Sequence, residues 1–278
     1  MTTAQDCSSL SIRQVEKPWG KAVLPAPFEA PEGQRIGEIW FEPPAALPEL
    51  LVKYIFTSEA LSVQVHPSDA QTLAKGIGRQ GKEECWLIIA AEPGAKLGIG
   101  FDQEIGEDAM RAAALDGSIE HLMTWHEVVP GDFFYIPANT VHAIGAGVSL
   151  IEVQQNSDIT YRLYDYGRPR ELHLEEGMAV SHGEPYSRET WHKRVPLDAS
   201  QVLVDGPLFV LDQVAGVPSH EVAARYPDAL LVIPREGDVE VAGESVAPGG
   251  CALAMTLDDV RFAENGLCLL ARPCKVTT

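Results

Sequence analysis

The sequence predicts a mainly β protein with two barrel- or sandwich-like lobes and a few short inserted helices. Short apolar or alternating stretches recur along the 278 residues, and Gly and Pro separate them, as is typical of sandwiches and barrels. A hydrophobic content of 45% and a charged content of 22% indicate a globular chain with a full core. No histidine follows His220, so the second lobe is predicted to lack metal ligands.

In chain order, the first half is predicted to form strands near residues 17–20, 37–41, 50–56, 61–65 and 84–90. The last of these is apolar enough to be buried on both faces. Ser68 or Asp69 can cap a short helix that continues through Ala74 and is ended by Gly76 and Gly78. A helical insert is predicted at residues 103–115, closed by Gly117. Its predicted inner face consists of Ile105, Ala109, Ala112 and Leu115.

The second half is predicted to return to strands, with one further short helix. The predicted strands are 128–143, 148–155, 208–214, 229–233, 239–241, 251–255 and 267–271, and the helix is 172–179. We therefore predict a catalytic domain at residues 1–199 and a second β domain without metal ligands at 200–278.

Charge and cysteine content limit the classes of partner. A net charge of −19 and a pI of about 4.7 argue against nucleic acid and against an anionic membrane surface. An anionic small substrate would need a local basic pocket. The chain shows no apolar leader or bilayer-spanning run, and its five cysteines form no Cys-x-x-Cys pair, which indicates reduced thiols. We expect a cytoplasmic protein, monomeric or homodimeric.

Polar side chains gather on the predicted strands in a pattern that suits a metal. With a period of two, Ser62, Gln64 and His66 share one face of their strand. Lys82 and Glu84 share a face of the next strand in the same way. Any one of these residues is explained equally well by a half-polar sheet face. The set is more specific, because its two nitrogens and two oxygens suit a zinc-type ion with room for a substrate. The candidate ligands are Gln64, His66, Glu84 and His142.

Residues 131–142 resemble the second sequence motif of the cupin superfamily, which reads Gly, five residues, Pro, one residue, Gly, two residues, His. Asn139 stands at the second glycine, and Asn tolerates the left-handed conformation better than other non-Gly residues. Pro137 and Asn139 would turn a corner that directs His142 inward. A hairpin with a core histidine is the simpler alternative for this stretch alone.

Four segments, 61–67, 81–86, 130–144 and 152–166, resemble type I mannose-6-phosphate isomerases of the short bacterial form. The resemblance covers most of residues 13–180 and implies two cupin-like, jelly-roll lobes. Ser68, Glu83 and Gly167 depart from the family pattern. The resemblance implies one zinc per chain, on the four candidate ligands. It also implies five further site residues: catalytic Arg162, Glu152 and Lys82, and substrate-binding Lys53 and Ser62.

The implied reaction interconverts mannose 6-phosphate and fructose 6-phosphate by proton transfer between C2 and C1 through an enediolate. Glu152 is the expected base, with a pKa raised by partial desolvation, Lys82 the expected acid partner, and Arg162 the expected contact for the phosphate or the enediolate. Zinc would polarise the substrate oxygens.

Each of the cationic residues also has an explanation that assigns it no function. Lys53 could be a solvated lysine, Lys82 a surface ion pair, and Arg162 an arginine stacked on a tyrosine. A non-catalytic metal-containing cupin that binds a sugar phosphate is the main rival function. An iron oxygenase or a sugar epimerase of the same superfamily is a second rival, which the Gln64 ligand and the lysine pair fit poorly. The six other histidines are assigned no function: His121, His126, His173, His182, His192 and His220.

Overall fold

A computed structural model describes residues 8–274, and Cys7 lies outside them. The strands of the first part are β1 Ser8–Ser9, β2 Ile12–Lys21, β3 Ile36–Phe41, β4 Leu50–Phe56, β5 Val63–Val65, β6 Glu84–Ala91, β7 Lys96–Phe101, β8 Met123–Glu127, β9 Asp132–Ile136, β10 His142–Ile144, β11 Val148–Gln155, β12 Tyr161–Tyr164 and β13 His192–Arg194. Those of the second part are β14 Gln201–Asp205, β15 Phe209–Ala215, β16 Leu230–Glu236, β17 Val239–Val241, β18 Glu244–Val246, β19 Ala252–Ala254, β20 Val260–Arg261 and β21 Leu267–Pro273.

The helices are short, and they are α1 Asp69–Lys75, α2 Glu107–Asp116, α3 Ile119–Leu122, α4 Leu174–Met178, α5 Arg188–Trp191 and α6 His220–Ala224, with a 3-10 turn at Leu257–Asp259. Within residues 8–274, no helix has the length and apolar character needed to cross a membrane. The prediction of a mainly β chain with a few short helices is therefore confirmed.

The first lobe is a sandwich of two antiparallel sheets. A seven-stranded sheet has the order β13-β9-β6-β11-β4-β3-β2, and a five-stranded sheet has the order β12-β5-β10-β7-β8. The first five residues of β6 are buried, as predicted for this strand. Its neighbours on both sides are antiparallel strands of the same sheet, β9 and β11. The candidate site lies between the two sheets, where their polar side chains face each other.

The second lobe is a six-stranded sheet, β1-β19-β16-β21-β15-β14, with a three-stranded sheet, β18-β17-β20. Val214, Leu230 and Leu270 belong to its internal core. The six-stranded sheet also shares a larger apolar core with the seven-stranded sheet, in which Phe133 and Tyr135 pack with Phe209. Because β1 pairs with β19, the first described strand belongs to the sheet of the second lobe. The domain division at residue 199 stays a prediction.

Helix α1 confirms its predicted caps. The Ser68 hydroxyl accepts a hydrogen bond from the Gln71 backbone N–H, and the Gln71 side chain accepts one from the Ser68 backbone N–H, which completes a capping box. Gly76 ends the helix in the left-handed conformation with a φ of 64°. These caps are local chemistry, which is why the sequence places both ends to within one residue.

The predicted inner face of α2 is wrong. The helix begins at Glu107, and Ile105 precedes it, with its backbone N–H bonded to the Gly183 carbonyl. The buried face consists of Met110, Ala113 and Ala114. Leu115 is 66% exposed. The prediction counted the helical period from Ile105. Because Ile105 lies outside the helix, the predicted apolar face does not coincide with the face that is buried.

The predicted strand at residues 128–143 is two strands in different sheets. β9 lies in the seven-stranded sheet and β10 in the five-stranded sheet. The chain turns between them, with Asn139 in the left-handed conformation at a φ of 72°. The expectation that Asn139 replaces the motif's glycine in this conformation is confirmed. The corner carries the chain from one sheet to the other, and so brings His142 to face Glu84.

Candidate metal centre

Three buried side chains from opposite sheets converge between the layers. His142 opens β10 and is paired in register with Gln64 of β5, while Glu84 opens β6 on the facing sheet. His66 follows β5 by one residue. One ligand atom from each of His66, Glu84 and His142 lies within 4.8 Å of the other two. The structure thus brings together the three candidate ligands that carry imidazole or carboxylate.

Both imidazole rings are oriented by a backbone carbonyl. The Nδ1–H of His66 donates to the Ile159 carbonyl at 2.9 Å, and that of His142 donates to the Thr140 carbonyl at 2.9 Å. This tautomer leaves each Nε2 as a lone-pair donor toward the centre. Burial, with the charge of Lys82 second, holds the pKa of His66 well below its usual value and lowers that of His142 to about 3. Both rings are therefore neutral, the form that binds metal.

Glu84 supplies an oxygen that lacks a hydrogen-bond donor. Its Oε1 is buried, has no hydrogen-bond partner among the described residues, and lies 3.3 Å from the Nε2 of His142. When Glu84 is ionised, its carboxylate oxygen and the neutral imidazole nitrogen are both acceptors, and a cation between them satisfies both. The donor set therefore fits a divalent metal ion. Burial, followed by the charge of Glu152, raises the pKa of Glu84 to about 8.

Gln64 stands beside this cluster. Its amide nitrogen lies 3.3 Å from the Nε2 of His142, and its Oε1 accepts from the Ser62 hydroxyl at 3.2 Å. Rotation of the amide by half a turn presents the oxygen to the centre instead. The Ser62 hydroxyl can then accept from the amide nitrogen, so both orientations satisfy the pair. Gln64 can therefore serve as the fourth ligand that the sequence predicts.

Lys82 is buried at the edge of the cluster. Its exposed fraction is 4%, and its Nζ lies 3.0 Å from the Nε2 of His66 and 3.9 Å from Oε1 of Glu152. It also donates to Glu84. The alternative of a surface ion pair is excluded by this burial. Lys82 instead connects the metal-ligand cluster to the second buried carboxylate, Glu152.

Glu152 and Lys53 form a cross-strand pair in the seven-stranded sheet. They lie opposite each other on β11 and β4, with the Lys53 Nζ 3.1 Å from Oε2 of Glu152. Trp86 Nε1 donates to the other carboxylate oxygen at 3.3 Å. Lys53 is 6% exposed, which excludes the alternative of a solvated lysine.

The expected rise in the pKa of Glu152 is wrong. Burial alone would raise this pKa, but the charges of Lys53 and Lys82 outweigh burial and hold the pKa below its usual range. The same contact acts on Lys53: burial would lower its pKa, while Glu152 raises it above the usual value. Glu152 is thus a carboxylate at neutral pH.

A cavity of about 350 Å³ opens from these groups. Arg162 and Ser62 line it together with Lys53, Lys82 and Glu152, so the structure brings the predicted catalytic and substrate-binding residues to one space. Arg162 pairs in register with Gln64 across β12 and β5, and its Nε donates to the Glu171 carbonyl at 3.0 Å.

Several cavity residues were missed by sequence reasoning. The missed residues are Lys17, Trp19, Glu38, Trp40, Asp158, Thr160, Arg170 and His173. Glu38 and Trp40 are two residues apart in β3, and the Trp40 indole N–H donates to Glu38 at 2.6 Å. Their spacing of two in the sequence places both side chains on one face of the strand, and this was the signal that could have identified them. Arg170 gave none, because its position depends on ion-pair contacts to Asp165 in an irregular loop.

Comparison with known proteins identifies relatives of the chain. No protein-family model matches it. The mannose-6-phosphate isomerase of Streptococcus mutans is 37% identical over 208 residues, or 71% of this chain, and the chain spans 65% of that relative's length. The crystal structure of the mannose 6-phosphate isomerase from Bacillus subtilis matches with a TM-score of 0.78 over 96% of this chain and 100% of that one, at 23% identity. A zinc-bound mannose 6-phosphate isomerase matches with a TM-score of 0.71 over 97% of this chain and 100% of that one, at 15% identity.

Proposed function

The chain belongs to the mannose-6-phosphate isomerase family, and from that premise we propose that it interconverts mannose 6-phosphate and fructose 6-phosphate with one zinc ion per chain. The observation that carries the proposal is the buried His66, Glu84 and His142 cluster, with its unsatisfied carboxylate oxygen. The carboxylate–lysine pair proposed to be catalytic, Glu152 and Lys82, lies directly beside that cluster.

Gln64, His66, Glu84 and His142 would hold the zinc. A bound zinc supplies positive charge that stabilises negative charge on a substrate oxygen. The two carbonyls that orient the imidazole rings support this assignment, since metal-binding histidines usually donate their second N–H in this way. The zinc in a structural relative at 15% identity is consistent with the donor set.

Glu152 is proposed as the base that moves a proton between C2 and C1 of the sugar. It is ionised, and the ionised form is the one that accepts a proton. Because the charges of Lys53 and Lys82 lower its pKa, Glu152 is a weaker base than a buried carboxylate without such neighbours. They also place positive charge where the enediolate develops negative charge, which favours the transition state over the ground state. Lys82 can donate a proton to the C1 oxygen as Glu152 removes the C2 proton. The C2 hydroxyl then returns a proton to Lys82 as Glu152 delivers its proton to C1.

Arg162 is proposed to bind the phosphate. It lines the cavity, and among residues 8–274 it forms no ion pair with a carboxylate. Ser62 and Arg170 line the same cavity and add donors. These groups provide the local positive charge that a protein with a net charge of −19 needs in order to bind an anionic sugar.

The remaining expectations complete the proposal. Residues 1–199 would form the catalytic cupin jelly roll, and 200–278 a cupin-like domain that packs against it without a metal. The protein would be cytoplasmic, as a monomer or homodimer, without a nucleic-acid or membrane partner. A non-catalytic metal-binding role is the alternative, and the buried Lys82–Glu152 contact argues against it, since metal binding alone does not need that pair.

The test is zinc content and turnover of one variant set. The purified parent is expected to contain one zinc per chain and to form fructose 6-phosphate from mannose 6-phosphate in a coupled assay. His142→Ala should lose both, because it removes a ligand. His121→Ala is the control, since that ring is 77% exposed, and it should retain both. A fully zinc-loaded parent without turnover would establish the non-catalytic alternative, and full zinc content in His142→Ala would refute the ligand assignment.

A further inference from the structure

A second cavity lies between the two lobes, away from the candidate active site. It has a volume of about 280 Å³, and residues of both lobes line it. Tyr54 of β4 and Ile151 of β11 come from the outer face of the seven-stranded sheet, and Arg235 comes from β16 of the six-stranded sheet. Phe28 and Ile89 complete the apolar part of the wall. We call this space the interlobe cavity.

Arg235 is held in place by a rigid neighbour. Its Nη1 donates to Oε1 of Gln213, which is fully buried. The Gln213 amide nitrogen donates to the Pro196 carbonyl at 2.6 Å and to the Ala199 carbonyl at 2.8 Å. These two bonds fix which end of the amide faces the guanidinium. Arg235 is therefore pre-positioned, and ordering it for a ligand would require little further loss of side-chain entropy.

The guanidinium carries a charge that no carboxylate neutralises. No carboxylate in the described part of the chain forms an ion pair with Arg235, although Glu236 follows it and also lines the cavity. Its Nε and Nη2 have no acceptor among residues 8–274. Burial lowers the pKa of Arg235 from its usual value, which reflects the cost of leaving this charge poorly solvated.

The rest of the wall restricts the class of ligand. Tyr54 lines the same cavity as Arg235, and its hydroxyl donates to no acceptor among residues 8–274, so its hydrogen is available to a ligand there. The apolar side chains offer no partners for the hydroxyl groups of a sugar. A planar carboxylate matches the guanidinium fork with two parallel hydrogen bonds, and one guanidinium neutralises its single charge. We propose that the interlobe cavity binds a small monocarboxylate with an apolar or aromatic body, at a site separate from the phosphorylated sugar.

The test uses benzoate as the probe, with benzamide as its neutral isostere. Titration of the full chain, followed by calorimetry and by ligand-detected NMR, should show one saturable benzoate site of millimolar affinity and weaker binding of benzamide. Arg235→Gln should weaken benzoate binding about tenfold or more, because it removes a charge-assisted hydrogen bond. Ala90→Trp is a second variant. It fills the cavity from an exposed position on β6, and it should block binding with Arg235 intact.

Two controls separate this cavity from other cationic sites. Arg261→Gln removes a surface arginine with an 81% exposed side chain and should leave benzoate binding unchanged. Arg162→Gln removes the proposed phosphate contact and should also leave it unchanged. The proposal is overturned if the parent shows no saturable benzoate binding, if Arg162→Gln abolishes that binding, or if both Arg235→Gln and Ala90→Trp bind benzoate as the parent does. None of these outcomes depends on isomerase activity.

Discussion

At the scale of single residues, two buried carboxyl groups in the centre have opposite pKa shifts. Burial and the negative charge of Glu152 both raise the pKa of Glu84, to about 8. Glu152 is equally buried, but Lys53 and Lys82 reverse the effect of burial. The two proposed roles are consistent with this difference. Glu84, whose oxygen lacks a donor, is suited to a metal cation, and Glu152, which is already paired with cations, is suited to proton transfer.

Glu152→Gln tests the proposed base. The amide cannot accept the C2 proton, so turnover should fall by roughly two to four orders of magnitude. Zinc content should stay at the parent level, because Glu152 is not a proposed ligand. The measurement is exchange of the sugar C2 proton with deuterated solvent, followed by NMR.

Glu127→Gln is the matched control for this substitution, since its side chain is 77% exposed, and it should exchange the proton as the parent does. If Glu152→Gln exchanges the C2 proton at the parent rate, Glu152 is not the base, and Lys82 becomes the next group to test.

The sequence predicts which residues come together at the site, but not whether their neighbours raise or lower the pKa of Glu152. Alternation along short strands brings Gln64 and His66 to one face, and the motif places His142, so the ligand set could be predicted. The pKa of Glu152 depends on Lys53, which lies 99 positions away in the chain and directly opposite on the neighbouring strand. Alternation along one strand carries no information on the residue across the ladder, so that partner could not be predicted by periodicity.

At the scale of elements, the corner before His142 depends on helix α1. The Asn139 backbone N–H donates to the His66 carbonyl at 2.8 Å, and its side-chain nitrogen donates to Oε1 of Gln71 at 2.7 Å. Gln71 is also the residue that completes the capping box with Ser68. The N-terminal end of α1 thus holds the corner that directs His142. The same corner is hydrogen-bonded to the backbone of His66, a second proposed ligand.

Asn139→Ala and Asn139→Gly separate the two contributions of this residue. Both lose the side-chain bond to Gln71, which should destabilise the fold by about 1–3 kcal/mol. Only alanine must also adopt the left-handed conformation, at a further cost of about 1 kcal/mol. Asn139→Ala should therefore unfold at a lower urea concentration than Asn139→Gly, and both below the parent. Equal midpoints for the two variants would show that the positive φ contributes nothing to stability.

Elements set by local chemistry were predicted better than those set by tertiary packing. The ends of α1 follow from Ser68 and Gly76, and the corner follows from Pro137 and Asn139. The buried face of α2 depends on contacts with other elements, and four of its ten residues are alanines, whose small side chains give a weak periodic pattern. The position of β5 between β10 and β12 joins segments far apart in the chain, which sequence spacing does not specify.

At the scale of the whole molecule, the shared core makes the lobes interdependent. The seven-stranded sheet has the active-site side chains on one face and this core on the other, so packing between the lobes supports the strands that carry Glu84, Glu152 and Lys53. Phe209 of β15 is fully buried there, with its ring 5.9 Å from that of Tyr135. A substitution in the second lobe can therefore lower the stability of the first-lobe sandwich without contacting the candidate site.

Phe209→Ala tests this coupling. Removing the ring leaves a cavity in the shared core, which should lower the free energy of unfolding by about 3–5 kcal/mol. Urea unfolding, followed both by far-UV circular dichroism and by loss of activity, should shift to lower concentration as one transition. Val217→Ala, at a side chain that is 69% exposed, should leave the midpoint unchanged. Two separate transitions, with activity lost only in the unshifted one, would show that the lobes are independent.

The pairing of β1 with β19 also has a consequence for the order of synthesis. Ser8 lies opposite Leu253, so this ladder joins segments from near the two ends of the described chain. Of these two strands, the ribosome delivers β1 first and β19 only after the whole first-lobe sandwich has emerged, at about 5–20 residues per second. Closing so long a loop is slow compared with forming local contacts. The second lobe is therefore completed by a strand that is synthesised before the whole of the first lobe.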